Sequence, residues 1–199
     1  MKQEQVVLVH GLLNTARSLR KMARSLEAHG FRTHIPSLTP STGRKGIEEL
    51  ADALKGYIDK NLASNETFNL VGFSMGGLIS RYYLQRLDGL HRVRRFVSIS
   101  TPHYGSWLAY AIPNRGCRQM RPTSNFLKDL NRDINLLGGI QLASLWTPFD
   151  LMVLPASNSR FPLGVEWKLP IPIHRLMISN KRSIEVITQF LLEGRNGNS

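Results

Sequence analysis

The residues Phe68 to Phe73 form an apolar run, and Gly77 to Leu87 repeat apolar positions at helical spacing. Between them stands Gly72-Phe73-Ser74-Met75-Gly76, a G-x-S-x-G sequence at a strand-to-helix junction. A serine at such a turn is pushed out at the carboxyl end of a parallel strand. The turn needs strained backbone angles and tolerates little bulk on either side, which is the physical use of the flanking glycines. The pentapeptide is short enough to arise by chance, so the rest of the chain must supply its context.

That context is an alternation of strand and helix signals. Val6 to Val9 reads as a buried strand, and Thr15 to His29 as an amphipathic helix closed by Gly30. Phe31 to Ile35 is a second strand, stopped by Pro36, and Ile47 to Ile58 carries a helical apolar stripe. Phe68–Phe73 and Val93–Ser100 are strands on either side of a helix over Met75–Leu87. Ile140–Trp146 and Gly164–Leu169 read as the last strands, and Ile184–Leu192 as a final helix ending at Gly194, with a polar tail after it. From Thr101 to Gly138 the rhythm breaks, with one short helix pattern around Phe126, Leu127 and Leu130. The predicted fold is α/β, with about six mostly parallel strands and helices on both faces.

Composition narrows the class further. The 199 residues fit one domain, and 42% hydrophobic content allows a sizeable core. A single cysteine, Cys117, excludes an internal disulfide and fits a reducing compartment. The short run Val6–Val9 is not a signal-peptide core, and no apolar stretch reaches transmembrane length. The expectation is a soluble, cytoplasmic chain. The net charge of +12 favours anionic partners. Arg17, Arg20, Lys21 and Arg24 lie on one helix face, opposite Ala16, Leu19, Ala23 and Leu26. Such a stripe is either a solvated face or a docking surface for an anionic membrane or polymer. The other basic groups are not interleaved with aromatics, which argues against a nucleic-acid platform.

A nucleophilic serine needs a base, and the base needs an orienting acid. Where an elbow of this kind heads the sheet, the chain order is serine, then acid, then histidine. Only His91, His103 and His174 follow Ser74. Asp150 lies just past the strand Ile140–Trp146 and fits the acid; its other reading is a turn-forming residue beside Pro148. Asp129 and Asp133 fall in a helical or loop stretch, Glu166 alternates with Lys168 on a solvent-facing strand, and Asp88 is too close to the elbow helix. With Asp150 as acid, His174 is the histidine downstream. An oxyanion requires two backbone N–H donors. Met75, directly after the serine, is one candidate; Leu12, in the His10-Gly11-Leu12-Leu13 turn after the first strand, is the other, unless that turn is an ordinary glycine turn.

Five stretches taken in order resemble the α/β-hydrolase superfamily, and within it the compact bacterial lipases and esterases. They are Val7–Leu12, Gly72–Gly77, Ser100–Ser106, Phe149–Val153 and Ile173–Met177. The resemblance implies a single domain over 1–199 and acyl transfer to water. Ser74 would attack, His174 would relay the proton, Asp150 would orient it, and the Leu12 and Met75 amides would hold the oxyanion. It implies an ester or lipid substrate and no cofactor; the same triad also serves thioesterases, amidases and acyltransferases, and a non-catalytic lipid-binding member is a further alternative. His103 matches a position that is usually structural. Ile173 stands where a glycine often precedes the base. The first strand read here already carries the His-Gly turn that follows further strands in larger members, so a sheet of about six strands is expected, and no carboxylate cluster suggests a metal site. Only residues 104–137 are available as a flap, too few for a separate cap domain, so the site is expected to be open.

Overall fold

The computed structural model describes residues 3–193; the expected helix end at Gly194 and the tail beyond it lie outside them. Six strands form one sheet: β1 (Glu4–Val9), β2 (Phe31–His34), β3 (Phe68–Phe73), β4 (Val93–Ile99), β5 (Gln141–Trp146) and β6 (Val165–Lys168). Their spatial order is β2-β1-β3-β4-β5-β6, and all five pairings are parallel, where the sequence suggested mostly parallel. Alternate residues of each central strand go to opposite layers, as the two-residue pleat requires. Val7, Val9, Leu70 and Phe96 face one core, with α2 (Ile47–Asn61) and α3 (Met75–Arg86). Val6, Leu8, Val97 and Leu145 face the other, with α1 (Arg20–Ala28) and α6 (Lys181–Glu193). Burying both faces accounts for the apolar strands read from the sequence.

The chain runs from β1 outward to β2, then returns across β1 to β3. The strand order therefore reverses between β1 and β3. A crevice opens at the carboxyl ends of the strands at such a point. Both the His10-Gly11 turn and Ser74 emerge there, one after β1 and the other after β3.

Two local readings are sharpened. The predicted helix over 15–29 begins as a 3-10 turn, Ala16–Leu19, and becomes α-helical only at Arg20. Ala16 is half-buried, and Met22 joins Leu19, Ala23 and Leu26 inside. In the stretch after β4 the sequence suggested one short helix. The structure has α4 (Arg115–Gln119) and α5 (Asn125–Arg132), with 3-10 turns at Trp107–Tyr110 and Ile134–Gly139. Asn114 and Ser124 cap α4 and α5, each side chain accepting an amide hydrogen bond from the first turn.

Candidate active site

Ser74 sits between β3 and α3 with φ 54° and ψ −123°, a backbone conformation rarely held by a residue with a side chain. Close packing surrounds it. A Cβ on Gly76 would come within 2.4 Å of the Val9 carbonyl oxygen, and one on Gly72 within 2.6 Å of the Gly77 Cα. The elbow therefore presses directly on the end of β1, and only glycine permits that approach.

Asp150 and His174 come from the loops after β5 and β6. The His174 Nδ1–H donates to Asp150 Oδ2 at 2.7 Å. The other carboxylate oxygen accepts from the amides of Met152 (2.8 Å) and Val153 (2.9 Å). Burial by itself raises the Asp150 carboxyl pKa. The bond and charge of His174, with the two amides, outweigh it and hold the group below the ordinary carboxylate range. The two loops are tied at their base by Thr147, whose hydroxyl donates to the Ile171 carbonyl at 2.6 Å. The imidazole also packs against the ring of Phe73, with centroids 4.8 Å apart. That contact sets the histidine beside the residue preceding Ser74. Among the described residues no hydrogen bond joins Ser74 to His174; instead both line one cavity of about 240 Å³.

The turn after β1 is held by His10. Its Nε2 accepts the Leu38 amide at 3.1 Å, so Nδ1 carries the proton and donates to the Gly11 carbonyl at 3.1 Å. Burial lowers the His10 pKa and keeps the ring neutral. The same carbonyl accepts the Asn14 amide at 3.2 Å. Carbonyl and N–H point oppositely across a trans peptide. Holding Gly11 O from one side therefore turns the Leu12 N–H to the other. Among the described residues the Leu12 and Met75 amides donate to no protein acceptor. Leu12 lines the cavity, and Met75 stands at the first turn of α3, where N–H groups are unpaired by the helix itself.

Leu108, Ala109, Ile112, Cys117 and Met120, all after β4, form an apolar wall of the cavity. Ser106 links this segment to the acid loop. Its hydroxyl donates to Met152 O and accepts the Leu154 amide. Further down, His103 is fully buried, donating to Ser98 Oγ at 3.0 Å; burial and the nearby Arg81 charge keep its pKa well below the ordinary value. It does not line the cavity. Of the rival acids, Asp129 and Asp133 pair with Arg86, and Glu166 pairs with Arg160.

Sequence reasoning missed Arg81. It is fully buried, and its guanidinium donates to Asn131 Oδ1 (2.9 Å), the Leu130 carbonyl (2.8 Å) and Gln85 Oε1 (3.2 Å). Among the described residues no carboxylate pairs with it, and burial pushes its pKa down to about 9. An arginine on a helical repeat gives no sign of burial until its partners from another segment are known. Among the described residues no group of three or more His, Cys, Asp or Glu is arranged to hold a metal ion.

Comparison with known proteins agrees with this architecture. A triacylglycerol lipase from Pseudarthrobacter phenanthrenivorans is 31% identical over 112 residues, covering 52% of this chain and 34% of the lipase. A lysosomal thioesterase PPT2 homolog from Drosophila melanogaster is 28% identical over 106 residues, covering 51% of this chain and 36% of its own length. The chain spans about a third of the length of these curated relatives. Among solved structures, the mature form of Bacillus licheniformis lipase BlEst2 superposes with a TM-score of 0.73 at 19% identity, covering 95% of this chain and 92% of that one. Aspergillus fumigatus lipase B gives a TM-score of 0.78 at 17% identity, over 94% of this chain and 52% of that one. At such identities the superpositions speak for the fold. A family model described as alpha/beta hydrolase fold matches residues 5–162. With that match across most of its length, on a parallel sheet with a strained serine at the turn after β3, the chain belongs to the alpha/beta hydrolase fold family.

Proposed function

We propose that this chain hydrolyses carboxylic esters of apolar acyl groups through a serine acyl-enzyme. Ser74 attacks the ester carbonyl while His174 takes its proton and later returns it to the leaving alcohol. Asp150 holds the imidazole in the tautomer with its free nitrogen turned toward the serine and stabilises the imidazolium. The Leu12 and Met75 amides receive the developing oxyanion. Residues 1–199 act as one catalytic domain, with 104–137 as a flap that lines the acyl side.

The observation that carries this function is the 2.7 Å Asp150–His174 bond beside a strained serine in one apolar cavity. A histidine paired to a buried carboxylate has little structural use at a cavity wall, but it has the form of an oriented base. Ser74→Ala tests it. The variant is expected to keep its fold by circular dichroism, to lose ester turnover, and to escape labelling by a fluorophosphonate. Undiminished turnover in that variant would overturn the assignment.

A second reading, thioester cleavage by the same groups, draws on the thioesterase among the relatives. The fold and the three side chains do not choose between the two leaving groups. Matched ester, thioester and amide substrates compared by kcat/KM would choose.

A further inference from the structure

The loops at the carboxyl end of the sheet have an unusual charge. Residues 10–19, 35–46, 100–124, 147–164 and 169–180 contain one carboxylate among them, Asp150, and it is buried against His174. The same loops carry eight arginines and lysines. Arg115 and Arg160 are paired, with Glu49 and Glu166. Arg175 lines the cavity beside His174 and has no ion pair among the described residues. Arg17, one of the eight, and Arg20, Lys21 and Arg24 beyond them project from the 3-10 turn and α1 that leave this end after β1; they too are exposed and unpaired among the described residues. Of the remaining acids, Glu48 and Glu49 stand at this same end, in the first turn of α2, where both pair with Arg115; the others lie in strands, helices and the other connections, several of them in ion pairs.

The same end exposes large apolar side chains. Leu13 is 65% exposed, Trp107 58%, Phe149 54%, Leu151 74% and Ile173 56%. They come from the loops after β1, β4, β5 and β6, so the topology gathers them around the cavity mouth. Single exposed apolar residues are ordinary, but a cluster from four loops around one opening is a contact surface.

We propose that this face docks on an anionic phospholipid bilayer, with the cavity mouth turned to the lipid. A soluble polyanion or nucleic acid would match the cations but leave five apolar side chains in water. A neutral bilayer would accept the apolar rim but give the cations no net counter-charge, since each headgroup phosphate is offset by its own cation. An anionic bilayer satisfies both: the rim enters the headgroup boundary while Arg17, the α1 cations and Arg175 meet lipid phosphates. Attraction at such a surface acts within about a Debye length, roughly 8 Å at physiological salt, so cations on the flank of α1 contribute without touching lipid.

Docking is independent of acyl transfer, and the test keeps them apart. Ser74→Ala protein is sedimented with vesicles of phosphatidylcholine alone and with an equal part of phosphatidylglycerol. Binding is expected only with phosphatidylglycerol and should weaken as salt is raised. Replacing Arg17, Arg20, Lys21 and Arg24 together by Gln should weaken it at least about tenfold, since each cation near such a surface contributes on the order of a fewfold or more in affinity. Trp107→Ser with Leu151→Ser, neither of which lines the cavity, should weaken it comparably. In an otherwise wild-type background both sets should leave turnover of a soluble short-chain ester unchanged. Equal binding to both vesicle types would overturn the proposal, as would no binding to either while soluble-ester turnover persists. Tighter binding to heparin that ignores the rim substitutions would overturn it in favour of a soluble polyanion.

Discussion

Asp150 is the residue whose environment most directly links stability to the proposed chemistry. Its pKa is held below the ordinary carboxylate value, so as pH falls through that interval the unfolded chain binds a proton before the folded one. The stabilisation is fully present above the unfolded-state value and is lost as pH falls through the lower folded value. Asp150→Asn removes this dependence. The Tm advantage of the parent over Asp150→Asn should therefore shrink on acidification through the carboxylate range; a gap that stays constant would contradict the assignment. Near neutrality the same variant should lose about a thousandfold or more in kcat, because the amide favours the wrong imidazole tautomer. His10 is a positioning residue in this scheme. Its hold on the Gly11 carbonyl aims the Leu12 amide, so His10→Ala should lower kcat by roughly ten- to a hundredfold with KM little changed, somewhat less than outright loss of an oxyanion donor. A rise in KM at constant kcat would point instead to a role in binding.

At the scale of elements, the strands and the elbow helix were legible because burial on both faces writes continuous apolar runs, and because Gly30 and Pro36 punctuate them. Ser74, Asp150 and His174 could be picked as candidates because order along the chain leaves few choices. The contact of Asp150 with His174, across two loops, is a matter of tertiary geometry. The segment after β4 was harder to read. Its helices are short, α4 having five residues, and they are held by contacts distant in sequence. Arg81 is the main example: its acceptors Leu130 and Asn131 lie 49 and 50 residues later. It anchors α5 to α3. Arg81→Met would remove a costly buried charge but take the donor from the side-chain oxygens of Asn131 and Gln85, while the Leu130 carbonyl keeps its bond from Gln85 Nε2. We expect a loss of about 2–4 kcal/mol in urea unfolding, with amide exchange accelerated in α5 more than in α2. Uniform acceleration across both helices would argue against a local anchor. At the elbow, Gly76→Ala should cost about 1–3 kcal/mol, since a methyl cannot fit against the Val9 carbonyl without moving β1 or α3.

For the molecule as a whole, the cavity belongs to no single element. Its lining joins polar groups, among them Ser74, His174 and Arg175, to the apolar set contributed after β4. In the proposed reaction this division would orient a substrate: with the leaving group near His174, the acyl chain would run toward Leu108, Ile112 and Met120. On that reading the length of acyl chain accepted would be set by the segment after β4, not by the sheet. Ile112 tests this well, because it lines the cavity yet is 41% exposed, so a larger side chain has room to enter without disturbing the core. Ile112→Trp should shorten the accepted chain. In a series of p-nitrophenyl esters, kcat/KM for the longer acyl groups should fall by about tenfold or more, a loss equivalent to one or two methylenes of contact. The acetate ester, which does not reach the wall, should be turned over as before. Equal losses across the series would mean that the substitution disturbs the elbow, and an unchanged profile would send the acyl chain to another wall of the cavity.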